Sequence, residues 1–99
     1  MTRDVVSSPD ENRYRLQIVP SAANALSESL PEKVALAVFE FINGPLLENP
    51  DRVGIPLRAP LAPAYSARRG SYRLLYLIDE ETRTLKVTVV AHRGHAYRS

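Results

Sequence analysis

The stretch from Ser71 to His92 constrains the fold most. Residues 71–78, Ser-Tyr-Arg-Leu-Leu-Tyr-Leu-Ile, and 84–92, Thr-Leu-Lys-Val-Thr-Val-Val-Ala-His, both read as strands without glycine or proline. Between them lies only the polar run Asp79-Glu-Glu-Thr-Arg83, so the two strands pair as an antiparallel hairpin. Side chains alternate across a strand, so Arg73, Leu75 and Leu77 share one face and Tyr72, Leu74, Tyr76 and Ile78 the other. A third strand is expected over roughly 64–69, with Ser66 and Arg68 on one face and Tyr65, Ala67 and Arg69 on the other. If Arg68 and Arg73 occupy a face that no helix covers, they point into one open groove.

Upstream, residues 1–13 are polar and aperiodic and read as a flexible tail, leaving 14–99 as the folded domain. Tyr14 to Val19 alternates as a first strand should. Pro20 stops it, and Ser21 is placed to cap a helix from Ala22 to Leu30. Pro31 opens a second helix, with Glu32 in its first turn where a negative charge suits the dipole. That helix is expected to run to Asn43 and to end at Gly44-Pro45. Its apolar residues (Val34, Leu36, Val38, Phe39, Phe41, Ile42) exceed one narrow stripe, implying contact with the first helix or with a partner chain. Pro45 to Pro63 is a proline-rich connector. The expected fold is α+β, with two N-terminal helices on one face of a twisted, mostly antiparallel four-stranded sheet.

Ninety-nine residues supply one core and one domain, and an apolar share of 44% is ordinary for a globular chain. There is no cysteine, which excludes disulfides, thiolate metal sites and a cysteine nucleophile. No apolar run suggests a signal peptide or a membrane span, so a cytoplasmic location without membrane contact is expected. The net charge of +2 hides an asymmetry. Residues 1–57 carry five cations against eight acids, whereas residues 58–99 carry eight cations against three acids. Only two cations, Lys33 and Lys86, are lysines. Arginine binds phosphate bidentately and keeps its charge when half-buried, so this bias suits a phosphate backbone.

The candidate site follows from that half. Arg58, Arg68, Arg69, Arg73, His92, Arg93, His95, Tyr97 and Arg98 interleave with strand residues there, joined by Ser66. Cations and an aromatic ring at the ends of adjacent strands can hold phosphates and stack on a base. An arginine inside Ser71-Tyr-Arg-Leu-Leu-Tyr76 is costly to desolvate, so Arg73 needs a purpose or a partner, the structural alternative being a salt bridge to Asp79 or Glu80. Asp79-Glu80-Glu81 otherwise reads as a solvated turn. His92 and His95, three apart with no acid or cysteine nearby, make a poor metal site, and neither a metal nor a cofactor is expected.

Three segments taken together resemble the RelE family of bacterial toxins, above all its actinobacterial members: Leu57-Arg58 with Leu61, then Tyr65-Ser-Ala-Arg-Arg-Gly-Ser-Tyr-Arg-Leu-Leu-Tyr-Leu-Ile-Asp79, then Val89-Val-Ala-His-Arg-Gly-His-Ala-Tyr-Arg98. The resemblance implies a toxin of a toxin–antitoxin pair that enters the ribosome and cuts mRNA in the A site. The cut is made by 2′-hydroxyl attack without a metal. It also implies a RelB-like antitoxin as partner, with operator DNA contacted only through that antitoxin. By position Arg73 matches the arginine that stabilises the transition state, Arg93 the residue that protonates the leaving group, and Tyr97 the tyrosine that orders the substrate. Arg68 stands where well-studied members carry a charge-stabilising lysine. Ser66 replaces the usual lysine base, leaving the base unassigned and His92 or His95 as candidates for one proton transfer. Two alternatives follow from this departure: a weakened RelE homologue, or a ParE-like toxin that inhibits DNA gyrase by binding it.

Overall fold

A computed structural model describes residues 13–92. Strand β1, Arg15–Ile18, leads into helix α1, Pro20–Asn24, which is prolonged by a π-helical turn, Ala25–Ser29. Helix α2, Glu32–Phe41, runs on as a second π-helical turn, Ile42–Leu46, and helix α3, Pro50–Val53, follows. Strands β2, Ile55–Pro56, β3, Tyr65–Arg69, β4, Tyr72–Asp79, and β5, Thr84–His92, complete the described residues.

The sheet order is β1-β5-β4-β3-β2. Strands β2 to β5 form an antiparallel meander, and β1 joins its edge parallel to β5, with Leu16 beside Leu85 and Ile18 beside Val87. A parallel partner needs a long crossover, which here spans the helices and the meander. The class is the expected α+β; the sheet, however, has five strands where four were expected. The extra strand, β2, lies inside the proline-rich connector. Two residues cannot show a period of two, and Pro56 cannot donate to a ladder, so β2 sits at the sheet edge.

Gly44-Pro45 does not end α2. The wider π turn tolerates the N–H that proline lacks, and it carries Leu46 and Leu47 into the core, where both are buried. The core lies between the helices and one sheet face: Val38, Ile42 and Leu46 meet Leu74, Tyr76, Leu85 and Val87, all fully enclosed. The apolar surplus on α2 is real, since Leu36 and Phe39 are 59% and 41% exposed. None of the helices among the described residues is long and apolar enough to cross a membrane.

Two tyrosines fix the ends of this packing. The buried Tyr76 hydroxyl donates to the Pro50 carbonyl at 2.7 Å, and its ring stacks on Tyr65 with centroids 5.6 Å apart. Gly54 is obligatory here, because a Cβ would come within 2.1 Å of that hydroxyl and 2.9 Å of the Ser66 carbonyl oxygen. Tyr14 donates to the Glu80 carboxylate at 2.9 Å, and the Arg83 guanidinium lies 4.2 Å from the Tyr14 ring centroid. This cluster pins the start of β1 to the β4–β5 turn. Arg13 adds a hydrogen bond to the Asn43 carbonyl.

Candidate nucleic-acid interface

The helices cover one face of the sheet, and the candidate site lies on the other. Strands β3 and β4 are joined through Gly70, at φ 54°, and Ser71. That tight turn sets the register: Arg69 opposite Tyr72, Arg68 opposite Arg73, Ala67 opposite Leu74, and Ser66 opposite Leu75. Ala67 and Leu74 are buried beneath the helices, so Arg68 and Arg73 share the face that no described helix covers, and both are exposed.

Two arginines directly opposite each other on adjacent strands repel, and nothing among the described residues offsets it. Neither makes an ion pair or a hydrogen bond with a described residue. The acids considered as partners for Arg73 are engaged elsewhere. Glu80 accepts from Tyr14 and lies 3.9 Å from Arg83. Asp79 accepts from the backbone N–H groups of Glu81 and Thr82, at 3.0 and 3.3 Å.

The neighbouring row on this face runs Ile55, Ser66, Leu75, Val89, one residue from each of four strands in direct register. Val89 is there because of a β-bulge. The β4–β5 register shifts between Leu75 and Tyr76, and Thr88, the extra residue, donates its hydroxyl to the Leu75 carbonyl at 3.2 Å. Val87 and Val90 are therefore both buried, and Val89 between them points outward.

The same bulge decides the place of His92. Unbroken alternation from Leu85 would send His92 to the open face beside Arg73. Instead it lies opposite Tyr72, on the helix-bearing face, and the structure does not bring it together with the arginine pair. Arg69 also belongs to that face, its guanidinium carbon 4.4 Å from the Phe41 ring centroid. Arg58 is exposed in the β2–β3 connection, its carbonyl accepting from Leu61 and Ala62. Ser66 is half-buried beside the pair. Arg93, His95, Tyr97 and Arg98 lie outside the described residues.

Neither lysine is near. Lys33 is on α2, and Lys86 is opposite Leu77, four residues along β4 from Arg73 or about 13 Å. Burial is the main cause of every resolved tyrosine shift, raising Tyr14 and Tyr72 and pushing Tyr76 up to about 12. These phenols stay protonated and act as donors and packing groups. Among the described residues, no three His, Cys, Asp or Glu side chains gather as a metal ion would require. Residues the sequence reasoning missed are Ile55, hidden in a two-residue strand, and Val89, whose only trace is its adjacency to Val90.

No family model matches the chain. It is 45% identical over 89 residues to Toxin RelE of Mycobacterium tuberculosis, an alignment covering 90% of this chain and 91% of that one. The chain belongs to the RelE family of toxins. Toxin RelG of the same organism is 46% identical over 85 residues, covering 86% of this chain and 97% of its own length. Among solved structures, the toxin–antitoxin complex RelBE2 of M. tuberculosis superposes with a TM-score of 0.79 at 46% identity, covering 82% of this chain and 99% of that chain. A RelE-RelB complex from the archaeon Pyrococcus horikoshii shares the fold at 25% identity, with a TM-score of 0.60 and coverage of 88% of this chain and 99% of that chain.

Proposed function

We propose that this RelE-family toxin is a ribosome-dependent endoribonuclease that cuts mRNA in the A site and so stops translation. The observation that carries the reading is the unneutralised Arg68–Arg73 pair on the uncovered sheet face. A phosphodiester seated between the two guanidinium groups takes bidentate contacts from both and offsets their repulsion.

In the cleavage step the 2′-oxygen bonds to the adjacent phosphorus and the bond from phosphorus to the 5′-oxygen breaks. This leaves a 2′,3′-cyclic phosphate and a 5′-hydroxyl. The pentavalent transition state carries an additional negative charge, which Arg73 and Arg68 stabilise from fixed positions on two hydrogen-bonded strands. Ser66, one row away, is placed to hydrogen-bond the substrate but not to accept its 2′ proton. With His92 on the other face, His95 is the remaining imidazole for proton transfer, and Arg93 and Tyr97 take the leaving-group and stacking roles the family resemblance gives them. Alignment by the ribosome supplies much of the acceleration.

The likeness to the RelBE2 complex supports a RelB-like antitoxin as partner; contact with operator DNA only through that antitoxin follows from the family resemblance alone. Exposed Leu36 and Phe39 on α2 offer that partner apolar surface. The test is a purified translation reaction on a defined mRNA, with 5′ ends mapped by primer extension. The wild type should produce ribosome-dependent cuts in the A-site codon. Ser66→Lys, which restores a base, should cut at least ~10-fold faster. Intact mRNA with unimpaired translation would remove the nuclease reading, and inhibition of DNA gyrase in a parallel supercoiling assay would replace it with the ParE-like one.

A further inference from the structure

Beside the arginine pair the open face is apolar, and that apolar row is built rather than incidental. Ile55 is 69% exposed and Val89 39% exposed, with half-buried Leu75 between their strands. The three fall in one cross-strand row through Ser66. A strand that kept its alternation would have buried Val89; the Thr88 bulge turns it out and buries Val90 instead. Bulges that re-aim a side chain in this way gather next to functional sites. Gly54, the residue before Ile55, is the only type that lets β2 approach Tyr76 and Ser66 closely enough to close the row.

We infer that the row Ile55–Leu75–Val89 is the seat of the nucleobase whose phosphate lies on Arg68 and Arg73. The inference rests on the nuclease reading above and deepens it. The two rows are two residues apart along β3 and β4, about 7 Å, which matches the span of a single nucleotide. Charge fixes which end of the nucleotide goes where. The phosphate belongs with the cations, and the uncharged base, which gains by leaving water, belongs on the aliphatic side chains. Ser66 carries the only hydrogen-bonding side chain in the row, one hydroxyl that both donates and accepts. The seat therefore holds a base by its flat face and discriminates weakly among the four bases.

The experiment measures binding of the full-length toxin to ribosomes programmed with mRNA whose A-site codon is 2′-deoxy, so that it cannot be cut. Codons intact or abasic at each of the three positions are compared. The wild type should bind the intact codon about fivefold more tightly than the codon abasic at one particular position. The double variant I55T/V89T, which keeps a β-branched side chain at both positions and is confined to exposed residues, should lose that preference while binding the abasic codon as the wild type does. Equal wild-type affinity for intact and abasic codons, with Arg73→Ala weakening both, would overturn the base seat and leave the phosphate site standing. No codon-dependent binding at all would overturn both. A double variant that keeps the base preference but no longer binds the antitoxin would reassign the row to that partner. If the double variant fails to fold, which its thermal midpoint reports, the single variant V89T takes its place, and a folded V89T that keeps the full wild-type preference overturns the seat.

Discussion

Arg68 and Arg69 are neighbours in the chain and opposites in the structure. Arg69 turns toward the helices, where the Phe41 ring faces its guanidinium at 4.4 Å. Arg68 turns to the uncovered face, where its nearest counterpart across the ladder is another cation, Arg73. The first is satisfied by the fold. The second adds repulsion that no described residue relieves, which is what the proposed phosphate site rests on. The whole sheet repeats the contrast: tyrosines, leucines and valines are locked by stacking and a buried hydrogen bond on one side, and arginines with no ion-pair partner among the described residues stand beside exposed aliphatics on the other.

The largest effect expected breaks the covered face. Gly54→Ala drives a methyl into the Tyr76 hydroxyl and the Ser66 carbonyl, displacing β2 and the buried hydrogen bond to Pro50. Chemical denaturation should show a loss of about 3 kcal/mol.

Next in size is a pH effect that belongs to the same face. Burial pushes Tyr76 from an ordinary 10.0 to about 12, so the folded chain holds that proton more tightly than the unfolded one. The stabilisation is complete below pH 10 and drains away as pH rises toward 12, amounting to roughly 2–3 kcal/mol across that window. Tyr76→Phe should be less stable by about 1–2 kcal/mol at pH 7, where the Pro50 carbonyl loses its donor, and the gap should close above pH 10. Urea midpoints of both proteins at pH 7, 10 and 11.5 check this.

The smallest effects sharpen the contrast between the neighbouring arginines. Arg69→Ala should cost about 1 kcal/mol through the lost ring contact. Arg68→Ala should leave stability unchanged or raise it by up to ~0.5 kcal/mol, because it relieves a like-charge pair. Thermal midpoints moving in opposite directions would establish the difference between the faces without any assay of function.

Much of this was legible in the sequence where a local period decides the outcome. The β4–β5 hairpin, the α+β class and the pairing of Ser66 with Arg68 on one face of β3 follow from alternation and one polar turn, and the register of β3 on β4 meets the condition that puts Arg73 on the same face. What alternation does not carry was lost. Strand β2 is too short to have a pattern, and Gly44-Pro45 stops a regular helix but not a π turn that buries Leu46 and Leu47. The bulge at Thr88 inverts every later side chain of β5, so His92, a candidate for proton transfer from its residue type alone, lies on the face opposite Arg73. A bulge is a property of two strands in register, and a single strand's sequence does not announce it.

The central claim is that the two faces divide the labour, with the uncovered one holding the phosphate that is cut. Its most direct test is the cleavage rate on mRNA-programmed ribosomes for Arg73→Ala and Arg69→Ala measured side by side. The account predicts a fall of about 100-fold or more for Arg73→Ala, with a thermal midpoint no lower than that of the wild type, and a rate close to wild type for the less stable Arg69→Ala. Equal falls in both, or undiminished cleavage by Arg73→Ala, would contradict it.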